Sequence, residues 1–497
     1  MTSSFNNEIS SISLSSSLEE NISLLTDAFK ETNDIVFHYS QINNKTGCLV
    51  YLSEMVDDQA LLAIKKDLST YSPDLKDGNQ LNDLPSIVRK LLSGYSILMS
   101  DEMDHVVLFN STHATGRAVA EPSTERTIRG PQEGFVEDIH TNLRLIRRKL
   151  RTPVLKIEHL TLGKLSNTQI SIVYIKGIAD DEIVKEVHQR LSRVDMDAVL
   201  DSHYLESMIK DSPRSPFPTV FSTERPDRVC GGLLDGKVAI ITDGTPFALT
   251  VPTMFVEFLH SAEDYYDTSL IASVIRWIRL LGLLVTLILP AFIVALTTFH
   301  QDLLQTPFLL RIAATRENVP YPILIEGIFM LLTFELIREA GLRMPKLFGG
   351  ATVTILGLVL IIQVAVQAGI FGPIMAVVVS VSALISFILP NYAFHQIIRF
   401  CGIPLLILAG FFGFMGIIVG LMFGLVHVVS LRSFGVPYFS PVSPARKEGW
   451  KDVFIRAPWW AMETRTPGLG IENIGRSGEG NAAKSPGSNR GDRDEGN

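Results

Sequence analysis

The spacing of apolar and polar positions changes character about halfway along the chain. Over roughly the first 260 residues, short runs of Val, Ile, Leu and Tyr alternate with amphipathic stretches, a mixture of two-residue and helical periods that predicts an α/β fold. From Leu280 to Phe299 no side chain is charged, and a run of about 20 apolar residues matches a hydrocarbon core of about 30 Å. Further spans read from Ala351 to Phe371, Pro373 to Leu389 and Ile403 to Val429. The fold class expected is an α/β soluble region of two related subdomains followed by an all-α polytopic transmembrane bundle of about four to five spans.

The stretch from Pro322 to Ile337 is harder to place, because Glu326 and Glu335 would be costly at the bilayer centre unless they faced protein or water. Nine residues apart, they lie on opposite sides of a helix, since nine steps make about 180°. One reading makes Glu335, Arg338 and Glu339 an interfacial helix end with an i, i+3 ion pair. The other makes Glu326 an intramembrane polar residue facing an aqueous pathway. With this stretch interfacial or re-entrant the crossings are even in number and both termini are cytoplasmic, which suits Arg432, Arg446, Lys447, Lys451 and Arg456.

The next apolar segment carries a polar stripe. With Thr352 at zero, Val359 falls near about -20°, Gln363 near about 20°, Gln367 near about 60° and Ile370 near about 0°. Thr and Gln can hydrogen-bond a neighbouring helix. Alternatively, symmetric copies point the stripe at a shared axis, with amides for water and ions and Val359, Val366 or Ile370 as an apolar constriction.

Within the soluble half, Val50-Tyr51-Leu52-Ser53-Glu54-Met55-Val56-Asp57-Asp58 is echoed by Val173-Tyr174-Ile175-Lys176-Gly177-Ile178-Ala179-Asp180-Asp181. Each copy reads as a strand, a turn with paired acids and a helix start; capping of exposed N–H groups accounts for the acids better than a catalytic pair does. Strand, turn and strand are expected over Ser96 to Asn110 and over Val229 to Asp243. Phe135, Ile139, Leu143, Ile146 and Leu150 define one helical face. The cations Arg144, Arg147, Arg148, Lys149 and Arg151 at its end read either as a solvated terminus or as a docking site for an acidic surface or lipid headgroups. The organisation expected is a flexible polar N-terminus (1–20), subdomain 1 (21–110), a linker (111–130), subdomain 2 (131–265), a transmembrane domain (270–430), a juxtamembrane segment (431–467) and a tail (468–497) too rich in Gly, Ser and charge to fold.

Composition removes several function classes. The 497 residues carry a formal charge of -8, which gives no net basic field for nucleic acid. Cys48, Cys230 and Cys401 lie far apart, without metal-ligand or disulfide spacing. The N-terminus lacks the charged and apolar regions of a secretory signal, which together with Arg276 and Arg279 before the first span predicts a cytoplasmic soluble half. Gly231-Gly232-Leu233-Leu234-Asp235-Gly236-Lys237 fits the opening of a phosphate-binding loop, but Val238 follows in place of Ser or Thr and begins a strand instead of a helix. No catalytic motif, metal site or cofactor site is expected.

Four blocks carry a family resemblance. They are Ile128-Arg129-Gly130-Pro131-Gln132-Glu133-Gly134-Phe135, then Phe217 to Val229 running on to Asp243-Gly244-Thr245-Pro246-Phe247-Ala248-Leu249, then Phe334-Glu335-Leu336-Ile337-Arg338-Glu339-Ala340-Gly341, and finally Ser433-Phe434-Gly435-Val436-Pro437-Tyr438 leading to Arg456-Ala457-Pro458-Trp459-Trp460. In this order they resemble the A subunits of bacterial spore germinant receptors, the GerA-type spore germination proteins. The resemblance implies a non-enzymatic, multi-pass subunit of a nutrient sensor in the inner spore membrane. It also implies assembly into pentameric cation channels beside a transporter-like B subunit and a lipoprotein C subunit. Gly349-Gly350-Ala351 departs from the Gly-Gln-Ala expected of the family near the mouth of the pore helix.

Overall fold

The computed structural model describes residues 14–30, 32–42, 45–67, 80–112, 121–343, 360–465 and 475–476. Its first half holds two five-stranded antiparallel sheets of the same topology. The first is ordered β1-β2-β4-β5-β3, from β1 (Ile35–Ile42), β2 (Lys45–Leu52), β3 (Gln80–Leu81), β4 (Tyr95–Ser100) and β5 (Val106–Asn110). The second is ordered β6-β7-β9-β10-β8, from β6 (Leu155–Leu162), β7 (Thr168–Ile175), β8 (Phe221–Thr223), β9 (Val238–Thr242) and β10 (Ala248–Val251). Renumbering the second from one gives the order of the first, so the internal echo is a duplicated fold.

Helices cover both faces of each sheet, and this is why the strands read as near-continuous apolar runs. In the first copy Cys48, Val50 and Leu52 face α1 (Leu18–Ala28) and α3 (Leu84–Leu91), while Leu49 and Tyr51 face α2 (Asp58–Asp67). In the second, Val173 and Ile175 face α4 (Ile139–Lys149) and α7 (Pro226–Leu234), while Ile172 and Tyr174 face α5 (Asp181–Ser192) and α6 (Ser202–Ile209). The paired acids are caps: Asp57 Oδ1 accepts from the N–H of Gln59 at 2.8 Å, and Asp180 Oδ1 from that of Glu182 at 2.8 Å.

One expected hairpin is replaced. The span from Val229 to Leu234 is helical, not a strand, because Pro226 opens α7 with its ring fixing φ, and Val229, Cys230 and Leu233 then share the buried face. Asp235 is the helix C-cap and Gly236 takes the left-handed conformation after it, at φ 87°. The phosphate-loop look-alike therefore runs from helix to strand, the reverse of the order a phosphate loop requires.

The cationic helix end also finds an internal partner. Arg147 is completely buried and donates from Nη2 to Asp34 Oδ2 at 2.7 Å, across the seam between the two subdomains. Arg144 Nε donates to the Glu54 carbonyl at 2.8 Å, and Arg148 and Lys149 pair with Glu133. Two of these cations, Arg144 and Arg147, are taken up by the chain's own first subdomain.

The second half is helical. Its elements are α8 (Ser269–Thr298), α9 (Thr306–Thr315), α10 (Ile323–Arg343), a helical segment at 360–367, α11 (Pro373–Ser386) and α12 (Tyr392–Ser430). Among the described residues, α8 and α12 are long and apolar enough to cross a membrane. The 39 residues of α12 are not one rod, which would reach about 58 Å. Gly413, at φ 60° and ψ -141°, breaks it into two arms. Gly416 and Gly420 of the second arm lie against Leu408 and Leu405 of the first, so the arms fold back on each other. The apolar run from Ile403 to Val429, expected to be a single span, is a helical hairpin.

The end of the bundle next to the soluble body is its foot. Phe394 and Ile398 from the start of α12, and Val428 and Leu431 from its end, join Phe258 of the soluble body in one apolar cluster there. At the opposite end, the head, Gly413 packs on Phe299 and His300 just after α8. Leu324 touches Gly410 near the head and Arg338 reaches Tyr392 at the foot, so α10 runs the length of the bundle. Glu326 is sealed and has Arg316 beside it, and Glu335 is paired with Arg338, which lowers the cost of placing both carboxylates on one long helix.

Candidate functional site in the helical bundle and its junction

Of the striped helix, residues 360–367 are described; Thr352 and Val359 lie outside the described residues. Gln363 and Gln367, one helical turn apart, are exposed on the outer side of the bundle, and Ile370 beyond them is also exposed. Val366 sits at the edge of that face and packs against the bundle core with Ile362. Leu360, Ile361 and Val364 surround the two amides with apolar surface. Among the described residues, two primary amides thus stand on an otherwise apolar, outward face of this helical segment.

Glu326 does not face solvent. It is 0% exposed, and its Oε1 accepts from the N–H of Gly372 at 2.7 Å. Gly372 is the N-cap of α11, so the carboxylate sits at the positive end of that helix, while Arg316 at 3.5 Å supplies a counter-charge to Oε2. The chemistry available here is fixing the Gly372-Pro373 break.

Glu335 and Arg338 form the i, i+3 pair suggested by their spacing, at 2.7 Å. Arg399, which the sequence reading did not single out, comes within 3.4 Å of the same carboxylate. Its signal was a lone cation within an apolar run.

The junction between soluble body and bundle is ionic. Asp264 accepts from Arg279 Nη1 at 2.7 Å and lies 3.3 Å from Arg276 Nε, the two cations before the first apolar run. Arg276 Nη1 also donates to the carbonyl of Asp452 at 2.7 Å and to its Oδ1 at 2.9 Å, and the Tyr265 hydroxyl donates to Asp452 Oδ2 at 2.8 Å. Burial pushes the Tyr265 phenol well above its usual range and holds His260 neutral. A cavity of about 440 Å³ opens beside this network, lined by Cys230, Asp235, Lys237, Glu257, Tyr265 and Asp452 among others. Burial pushes the Asp235 carboxyl up to about 6 against the opposing pull of Arg476. Its other ions are matched, Lys237 by Glu257 and Asp452 by Arg276. Among the described residues no cluster of His, Cys, Asp and Glu is arranged to hold a metal.

The segment after α12 returns to the soluble body. Phe434 and Val436 enter the core of the second subdomain, Ser433 Oγ accepts from the N–H of Thr253 at 2.9 Å, and the Arg190 guanidinium lies 4.1 Å from the Phe434 ring centroid. The block around Arg225 is likewise structural. Glu224 accepts from the N–H of Ser123 at 2.7 Å, and Arg225 donates to the Pro131 carbonyl at 2.8 Å, pinning the connecting segment to the second subdomain.

Comparison with known proteins matches residues 23–467 to the family described as Bacillus/Clostridium GerA spore germination protein. Spore germination protein KA of Bacillus subtilis (strain 168) is 37% identical over 485 residues, 94% of this chain and 89% of that one. Spore germination protein GerLA of Bacillus cereus is 40% identical over 381 residues, covering 77% of each. Among solved structures, the N-terminal domain of the A subunit of the Bacillus megaterium spore germinant receptor GerK3 is 33% identical, covers 49% of this chain and 98% of that one, and superposes with a TM-score of 0.37.

Proposed function

Because this chain belongs to the GerA spore germination protein family, we propose that it is an A-type subunit of a spore germinant receptor and forms an oligomeric, cation-conducting channel. The reading has it embedded in the inner spore membrane by several crossings, its soluble body on the cytoplasmic side. Counting the two arms of α12 separately, α8, α10, the segment containing 360–367, α11 and those arms make six passes. An even count returns Arg432 and Arg446 to the side of the soluble body, in keeping with the excess of cations on cytoplasmic loops.

The observation that carries the channel is the outward pair Gln363 and Gln367 on an apolar helix face. Primary amides left in lipid lack hydrogen-bond partners and cost several kcal/mol each, to order of magnitude. Copies arranged around an axis, five by the family resemblance, remove that cost by turning the pair and Ile370 toward a shared aqueous lumen, with Thr352 and Val359 assigned to the same lining. The family's B and C subunits are the proposed partners. Nutrient binding in the B subunit opens the pore only as far as its differential affinity for the open state allows.

The test is ion flux through the purified protein in liposomes, with particle size and symmetry measured on the same sample. Gln363→Leu with Gln367→Leu is expected to abolish or strongly reduce flux while the oligomer persists. A strict monomer, or flux indifferent to both substitutions, would sink the reading. The runner-up, a secondary transporter coupled through Glu326, is disfavoured because that carboxylate is sealed and engaged by Gly372; saturable uptake abolished by Glu326→Gln would revive it.

A further inference from the structure

The foot of the bundle holds more buried positive charge than negative. Arg338 donates from Nε and Nη2 to Glu335 Oε2 at 3.0 and 2.7 Å, and from Nη1 to the Tyr392 hydroxyl at 3.2 Å. Arg399 approaches the other carboxylate oxygen at 3.4 Å from Nε, without the alignment of a hydrogen bond. All three guanidinium nitrogens of Arg399 are sealed from solvent and lack a hydrogen-bond partner. Its side chain is 7% exposed, with the Phe334 ring centroid 5.5 Å away. His395, four residues earlier, commits Nδ1 to the Tyr392 carbonyl at 2.6 Å and leaves a sealed, unpartnered Nε2.

A cavity of about 20 Å³ adjoins this group, lined by Arg399, Glu335, Phe334, Thr286, Pro290 and Ser382 among others. The elements packed around it bring no further acid: Thr286 and Ser382 exchange hydrogen bonds with each other's carbonyls. Residues 344–359, outside the described structure, contain Lys346 and neither Asp nor Glu. Two guanidinium groups therefore share one carboxylate, and one positive charge remains uncompensated.

A buried ion missing its partner is strongly unfavourable. Water in the cavity would satisfy donors but leave the charge. A lipid phosphate or a side chain of a second copy cannot reach nitrogens sealed inside the chain. The space suits one particle of about water size or slightly more. We propose that Arg399 binds a single enclosed halide, with chloride the available ion, and that this anion completes the ionic packing of α10 against the first arm of α12.

The test uses the full-length protein in nanodiscs. Sodium gluconate is replaced by sodium chloride at constant ionic strength while the thermal unfolding midpoint is followed, and bromide is then used as a heavy-atom probe. Wild type is expected to show a saturable rise with chloride and with bromide, and bromide density beside Arg399. Arg399→Leu removes the charge and abolishes the halide-dependent rise. Should that variant not fold, Glu335→Gln decides: removing the competing carboxylate is expected to tighten apparent halide affinity by about tenfold. Equal midpoints in gluconate and chloride for wild type and Glu335→Gln would overturn the proposal. So would a halide response that survives Arg399→Leu, or an ordered water only beside Arg399 in bromide.

Discussion

Arg147 Nη2 and Asp34 Oδ2 lie 2.7 Å apart with both side chains completely buried, one from each copy of the duplicated fold. Thr32 holds the other carboxylate oxygen at 2.6 Å and the Thr152 carbonyl takes the Nη1 proton at 3.0 Å, so both ions are well provided with partners. Breaking such a pair from one side leaves an uncompensated charge, whereas removing both leaves a packing problem only. Arg147→Met is expected to lower stability by about 3–5 kcal/mol, and Arg147→Met with Asp34→Leu by much less. Chemical denaturation of the two variants measures the difference; equal losses would mean that the seam is held by shape and not by charge.

Gly413 is the point where α12 reverses. Its φ of 60° with ψ of -141° is a conformation available in practice to glycine alone, and a Cβ there would sit 2.8 Å from His300 Cε1. Gly413→Ala is expected to cost about 1–3 kcal/mol from the backbone, with the contact adding to it. Folded yield and thermal midpoint in detergent report the loss, and a Gly416→Ala control tests the close approach of the two arms separately.

Asp235 gives the junction a pH response with a definite sign. Its folded carboxyl titrates near about 6, against about 4 in an unfolded chain. Between those values the folded state holds the extra proton, so stability falls as pH rises from about 4 to about 6 and is level beyond. Asp235→Asn lacks that dependence. Its thermal midpoint relative to wild type should climb across the window and then stay constant; a constant difference from pH 4 to 7 would contradict the assignment.

Phe434 is 5% exposed within the core of the second subdomain, although it belongs to the segment after the bundle. Phe434→Ala should cost about 3–5 kcal/mol. Because the ring anchors the returning chain, the variant should also expose residues 431–440 to limited proteolysis before the rest of the protein.

The duplication was legible because the echoed strands keep Val50 and Val173 on one face and Tyr51 and Tyr174 on the other, and period-two patterns carry that information directly. The helix from Ile139 and the acidic caps were legible for the same local reason. What escaped the sequence were features set by distant partners. Arg147 reads as surface charge until Asp34, more than a hundred residues earlier, closes on it. Val229 to Leu234 reads as strand because two glycines obscure a helix that Pro226 starts. The reversal at Gly413 hides in an unbroken apolar run, since a hairpin inside such a run needs only one glycine and no polar turn. Arg399 belongs to no periodic pattern, and its meaning lies in four helices meeting.

The return of residues 431–438 to the second subdomain changes how force can pass through the molecule. The bundle is fastened to the soluble body at two places, by Arg276 and Arg279 at its entry and by Ser433 and Phe434 at its exit. A strut held at one point can swing freely, but a loop clamped at both ends cannot tilt without straining one of its clamps. A rotation of the soluble body would therefore be delivered to α8 and to the last arm of α12 together, as a torque on a frame.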